Sequence, residues 1–185
     1  MRARTHTNLV MDAEINGAGM PDGWQRLWAP HRLEYLRGEN RPLPKNDIQC
    51  PFCSIPSLSD EEGLVVARAK LTYVVMNLYP YNPGHLLVCA YRHVADLTDL
   101  TVDERNEISA QTAHAMKTLR KVSSPVGFNL GMNQGEVSGA GIADHIHQHI
   151  VPRWTGDANF MPIVGKTKVL PQLLEQTRKD LIAAW

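Results

Sequence analysis

The sequence predicts an α+β fold: an antiparallel sheet of about five strands, one long helix packed across it, and a helix at the C-terminus. Three observations predict it. Runs rich in β-branched residues recur at 64–70, 73–78, 85–90 and 126–132, each bounded by turn-forming residues. Between the third and fourth runs, Ile108, Thr112, Ala115 and Leu119 keep a helical stripe instead. Then His145, His147 and His149 alternate with Ile146, Gln148 and Ile150, and in an extended chain such residues share one face. A helix would scatter the three imidazoles around its axis and break the Ile stripe, so period two is preferred.

Taken in order, residues 1–22 are polar and interrupted by Gly17, Gly19 and Pro21, and read as a mobile leader before a single domain at 23–185. Trp24, Leu27, Trp28, Leu33, Tyr35 and Leu36 suggest two short helical pieces around Pro30, and the Pro-containing stretch at 38–47 is a loop. The runs at 64–70 and 73–78 form an antiparallel pair. Tyr79-Pro80-Tyr81-Asn82-Pro83-Gly84 then turns the chain into a third strand opening at His85. Thr101 is an N-cap followed by Asp103 and Glu104 in the first turn, and Ser123-Ser124-Pro125 stops the helix. That helix should cover one face of the sheet and meet Ile146 and Ile150, with His114 a bystander. After the fourth and histidine-bearing strands, Leu170, Leu173, Leu174, Leu181 and Ile182 mark the C-terminal helix, leaving Trp185 for a partner contact.

With 19 Lys plus Arg against 19 Asp plus Glu in 185 residues, no basic surface for nucleic acid is expected. Partners should be a small molecule or another copy of the chain. No apolar run reaches the ~18 residues of a membrane span, and the first residues lack the apolar stretch of a secretory signal, so a cytoplasmic protein is expected. Three cysteines do not make a disulfide framework here. Cys50-Pro51-Phe52-Cys53 has three readings: half of a zinc site, a redox pair, or two structural thiols. The redox reading lacks its apolar strand before the motif and its helix after it.

His-x-His-x-His followed by two apolar residues resembles the signature of the histidine triad (HIT) superfamily of nucleotide hydrolases and transferases. Asn82-Pro83-Gly84-His85-Leu86-Leu87-Val88, Gly127-Phe128-Asn129-Leu130-Gly131-Met132-Asn133 and Pro152-Arg153-Trp154 look like further HIT elements in order, so the likeness covers 48–161. The lead-in from Leu27 to Tyr35, the turn at Gly139-Ala140-Gly141-Ile142 and the stretch from Gly156 to Phe160 most resemble the actinobacterial diadenosine tetraphosphate phosphorylases. The resemblance implies a HIT-like fold that pairs across a two-fold, hence a homodimer or homotetramer.

It implies a site as well. The family assigns the nucleophile to the middle histidine, His147, and holds its other ring nitrogen on the backbone carbonyl of His145. His149 would sit at the bridging oxygen, His85 would support the triad, and Asn77 would contact ribose. Asn133 and the backbone amides of the turn at Gly139 and Gly141 would meet phosphate oxygens. Relatives carry a hydroxyl three residues before the triad, and this chain does not; Ser138 is the candidate substitute. Cys50 and Cys53 would join His93 and His145 around a structural zinc, with no organic cofactor. The implied reaction converts diadenosine tetraphosphate and inorganic phosphate to ATP and ADP through a nucleotidyl-histidine, with Arg153 or Lys166 anchoring the phosphate. Two alternatives stay open: a HIT hydrolase that ends the same first step with water and releases AMP, and a regulator that binds nucleotide without catalysis.

Overall fold

A computed structural model describes residues 50–157 and 172–185; the leader, the aromatic pieces at 24–36, the loop at 38–47 and Lys166 lie outside them. One short helical turn, α1 (Pro51–Ser54), opens the described chain. Five strands follow: β1 (Val65–Arg68), β2 (Thr72–Met76), β3 (Leu86–Ala90), β4 (Gly127–Gly131) and β5 (His147–Arg153). They form one sheet in the order β1-β2-β3-β5-β4, every neighbouring pair antiparallel. The long helix α2 (Val102–Ser123) connects β3 to β4, and α3 (Leu174–Ala184) closes the chain. The expected fold class is what the chain adopts.

Helix α2 starts where the sequence says. Thr101 accepts from the Glu104 backbone N–H while the Glu104 carboxylate accepts from the Thr101 backbone N–H at 2.7 Å, a reciprocal capping box. Its apolar stripe, Ile108, Ala115 and Leu119, packs on Val74, Met76, Leu86, Val88, Ala90, Ile146 and Ile150, which fills one side of the sheet. The expected contact between this helix and the two isoleucines of the triad segment is present. Leu181 of α3 joins the same cluster.

The other side of the sheet has a thinner layer. Tyr73, Val75, Leu87 and Cys89 are buried beneath Phe52 of α1. Residues directly paired across an antiparallel ladder point to the same face. His147 pairs with Cys89 and His149 with Leu87, so both imidazoles stand on this second face, beside α1. Strand β5 begins at His147, so the strand expected to carry all three histidines carries two. The Ile146 backbone N–H leaves the ladder and donates to the Val94 carbonyl at 2.7 Å, and His145 lies in the bend before it.

Candidate functional site

Backbone bonds fix the protonation of the site from two directions. The Nδ1 of His147 lies 2.8 Å from the carbonyl oxygen of His145. A carbonyl only accepts, so His147 carries its hydrogen on Nδ1 and a lone pair on Nε2. Burial pushes its pKa down and favours that uncharged ring.

The second direction starts in the loop between β2 and β3. The Tyr79 backbone N–H donates to Asn77 Oδ1 at 2.9 Å, which orients the amide so that Nδ2 faces His85 Nδ1 at 3.2 Å. The Tyr81 backbone N–H donates to the same His85 Nδ1 at 3.0 Å. Nδ1 is therefore the acceptor of a neutral His85, and its Nε2–H donates to His149 Nδ1, 2.9 Å away. His149 is left with its hydrogen on Nε2. That atom is buried and has no protein partner among the described residues. Burial, with the neighbouring His147 adding to it, pulls the pKa of His149 down to about 4, so the ring is uncharged near neutral pH. The rings of His147 and His149 lie 4.8 Å apart, a ring with a lone pair on Nε2 beside one with an N–H there.

Next to this pair is a cluster of four metal-ligating side chains, Cys50, Cys53, His93 and His145, whose ligand atoms all lie within 4.8 Å of one another. His145 Nε2–H donates to the Ala90 carbonyl at 3.0 Å, which leaves the Nδ1 lone pair toward the thiols, 3.5 Å from Cys50 Sγ and 3.6 Å from Cys53 Sγ. Cys53 Sγ lies 3.2 Å from His93 Nδ1. Burial raises the Cys50 thiol above its ordinary pKa, so without a cation it stays protonated. The cluster could hold a metal.

A HIT-domain family model matches residues 59–156, more than half of the chain. The chain belongs to the HIT family. Among its relatives, the AP-4-A phosphorylase of Mycobacterium tuberculosis is 52% identical over 172 residues, spanning 91% of this chain and 88% of that one. The asymmetrical bis(5'-nucleosyl)-tetraphosphatase of Schizosaccharomyces pombe is 36% identical over 93 residues, 50% of either chain. A Zn-bound histidine triad protein from Mycobacterium smegmatis shares the fold at a TM-score of 0.59 and 24% identity, covering 74% of this chain and 92% of that one.

Most of the residues expected from the HIT signature do converge: His85 and His149 in one hydrogen-bonded set with Asn77, the His147 ring beside that of His149, and the four metal candidates in a second cluster. Asn133 is half-buried two residues beyond Gly131, which pairs with His149, so it follows β4 toward the His147 end of β5. Gly139, at φ +85°, and Gly141 lie in the bend before His145. Two expectations change. Ser138 Oγ donates to the Gly135 carbonyl at 2.7 Å, so its hydrogen closes the turn instead of standing ready for phosphate. Arg153 is engaged by Asp157 at 2.6 and 2.8 Å and by Asn129 at 2.6 Å, which gives it a part in holding the end of β5. His114 and Trp185 also meet each other, rings 4.6 Å apart, so the terminal aromatic packs within its own chain.

Three participants went unread in the sequence. Phe52 packs against His147 with the two rings tilted by 46°, the Tyr81 ring lies nearly parallel to that of His149 at 5.8 Å, and Asn82 bonds both the Pro152 carbonyl and Asp157. The Asn-Pro-Gly-His stretch flagged the last of these only as part of a motif.

Proposed function

We propose that this chain is a diadenosine tetraphosphate phosphorylase working through a nucleotidyl-histidine. His147 Nε2 attacks the phosphorus of one adenylate, the N–P bond forms as the P–O bond to ATP breaks, and the electron pair leaves with ATP. The imidazolium character of the adduct is balanced by the Nδ1–H held on the His145 carbonyl. His149 Nε2–H donates a hydrogen bond to the bridging oxygen as charge grows there; a neutral imidazole stabilises that oxygen without giving up its proton. Inorganic phosphate then attacks the same phosphorus, the N–P bond breaks toward His147, and ADP departs with His147 returned to its starting form. The observation that carries this reading is the hydrogen bond from His147 Nδ1–H to the His145 carbonyl, because it delivers an unprotonated, oriented nucleophile.

Around that step, Asn77 holds His85 and faces ribose, while Asn133 and the turn amides at Gly139 and Gly141 receive the phosphates. A structural zinc fits Cys50, Cys53, His93 and His145. Tetrahedral zinc with Zn–S of ~2.3 Å and Zn–N of ~2.0–2.1 Å requires S···N separations of ~3.5 Å; Cys50–His145, Cys53–His93 and Cys53–His145 stand at 3.5, 3.2 and 3.6 Å. When bound, zinc supplies a cross-link between distant parts of the chain. The assembly is a homodimer or homotetramer, in keeping with the HIT pairing of sheets.

Product analysis tests the reaction. With diadenosine tetraphosphate, ATP and ADP should form only when phosphate is present, and mass spectrometry after a neutral quench should find adenylate on His147. ATP and AMP released at the same rate with or without phosphate would instead assign the chain to the hydrolases.

A further inference from the structure

We infer that Phe52 is a positioning residue for the nucleophile, tying the Cys50, Cys53, His93 and His145 cluster to the ring of His147. This rests on the nucleotidyl-transfer reading above only for its kinetic arm. One hydrogen bond pins a single ring atom of His147, and the terminal torsion of a histidine is broad, so packing against the ring must set its tilt. Phe52 supplies that wall. It is 6% exposed, its ring centroid lies 4.7 Å from that of His147 and 5.5 Å from that of His145.

Phe52 is itself held only by its surroundings. It sits in a four-residue helical turn, far below the length at which a helix is stable alone. Its carbonyl accepts from the Tyr73 hydroxyl at 2.7 Å, and Tyr73 is fully buried in β2. It also packs over Val75, Leu87 and Cys89, and the cysteines on either side of it tie its turn to the histidines. Cys50 Sγ reaches His145 and Cys53 Sγ reaches His93, so a metal closing the cluster fastens the turn on both sides of the phenyl ring. Opening the cluster releases the ring that backs His147, though none of the four ligating side chains needs to touch substrate.

The test uses the zinc-loaded protein, its Phe52→Ala and Phe52→Leu variants, and protein stripped by a chelator. The readouts are zinc per chain, kcat and KM with diadenosine tetraphosphate and phosphate, and the side-chain N–H resonance of His147 Nδ1, which the bond to the His145 carbonyl shields from exchange. Phe52→Ala should keep its zinc and hold KM within about twofold. Its kcat should fall roughly 10- to 100-fold, in line with the effect of an ~1 Å misplacement, and the His147 resonance should broaden or vanish. Phe52→Leu should recover most of both. Stripping the metal should remove the same resonance while the far-ultraviolet circular dichroism of the sheet persists, and added zinc should restore it. A zinc-loaded Phe52→Ala variant with unchanged kcat and a sharp His147 resonance would overturn the inference, as would stripped protein that keeps the resonance. Wild-type protein that releases AMP regardless of phosphate would defeat the phosphorylase reading yet leave the resonance test standing.

Discussion

His149 tests at a single residue whether a neutral donor or a charged acid serves the leaving group. The chain of bonds from the Tyr81 N–H through His85 leaves the hydrogen on His149 Nε2. Replacing His149 with Ala should lower kcat by about 10²–10³, the usual effect of losing one donor to a developing oxyanion. An adenylate ester of an acidic phenol, which needs no such help, should lose far less; equal losses on both substrates would sink the assignment. Burial of the uncharged ring has a second consequence. His149 titrates near 4 when folded, against about 6.5 in an unfolded chain, so the unfolded state binds the extra proton between those values. Its contribution to stability is complete above pH 6.5 and is lost as pH falls toward 4. Urea midpoints measured from pH 7.5 to 4.5 should fall less steeply in His149→Gln than in wild type. Alternation along the chain was enough to place His147 and His149 on one face, because side-chain period is a local property of a strand. Phe52 was not legible, since its contact with His147 joins positions that only the folded sheet brings together.

Two residues in the left-handed region bracket helix α2 from outside, and their neighbours predict opposite outcomes on substitution. Gly84, at φ +74°, turns the chain into His85 and β3, and a Cβ there would stand 2.9 Å from Leu119 Cδ2 of α2. Gly84→Ala combines strained backbone with overpacking and should destabilise the fold by about 1–3 kcal/mol. It should also lower kcat through His85. Ser124 ends α2 at φ +47° with a side chain where glycine is preferred. Ser124→Gly should therefore stabilise by roughly 0.5–1 kcal/mol with kcat unchanged. Thermal or urea denaturation of the two variants reads both signs, and a stabilised Gly84→Ala would contradict the packing argument. At this scale the sequence was largely readable. The Thr101 cap and the Ser123-Ser124-Pro125 stop bound α2 within a residue, because caps act locally. The start of β5 was misjudged by two residues because a long-range bond from Ile146 to Val94 pulls His145 out of the ladder, and no periodicity records that bond.

For the whole molecule the deciding feature is that the Cys/His cluster joins positions far apart in the chain. Cys53 and His93 are 40 residues apart, and Cys50 and His145 are 95 apart. A metal joining all four closes loops that the unfolded chain would otherwise leave open, and closure entropy grows with their length. A cross-link over such spans stabilises by about 2–4 kcal/mol when judged by disulfides of similar reach. In a chain of this size that corresponds to roughly 5–15 °C in Tm. Differential scanning calorimetry of metal-stripped protein should show a drop of that order, reversed by stoichiometric zinc. Cys50→Ser should begin at the lower Tm and respond little to added zinc, because its remaining ligands no longer close the cluster. A Tm indifferent to both chelation and Cys50→Ser would mean that the four side chains converge without a metal to hold. In that case packing of Phe52 on the histidines and over Val75, Leu87 and Cys89, together with the Tyr73 hydrogen bond, would keep α1 in place.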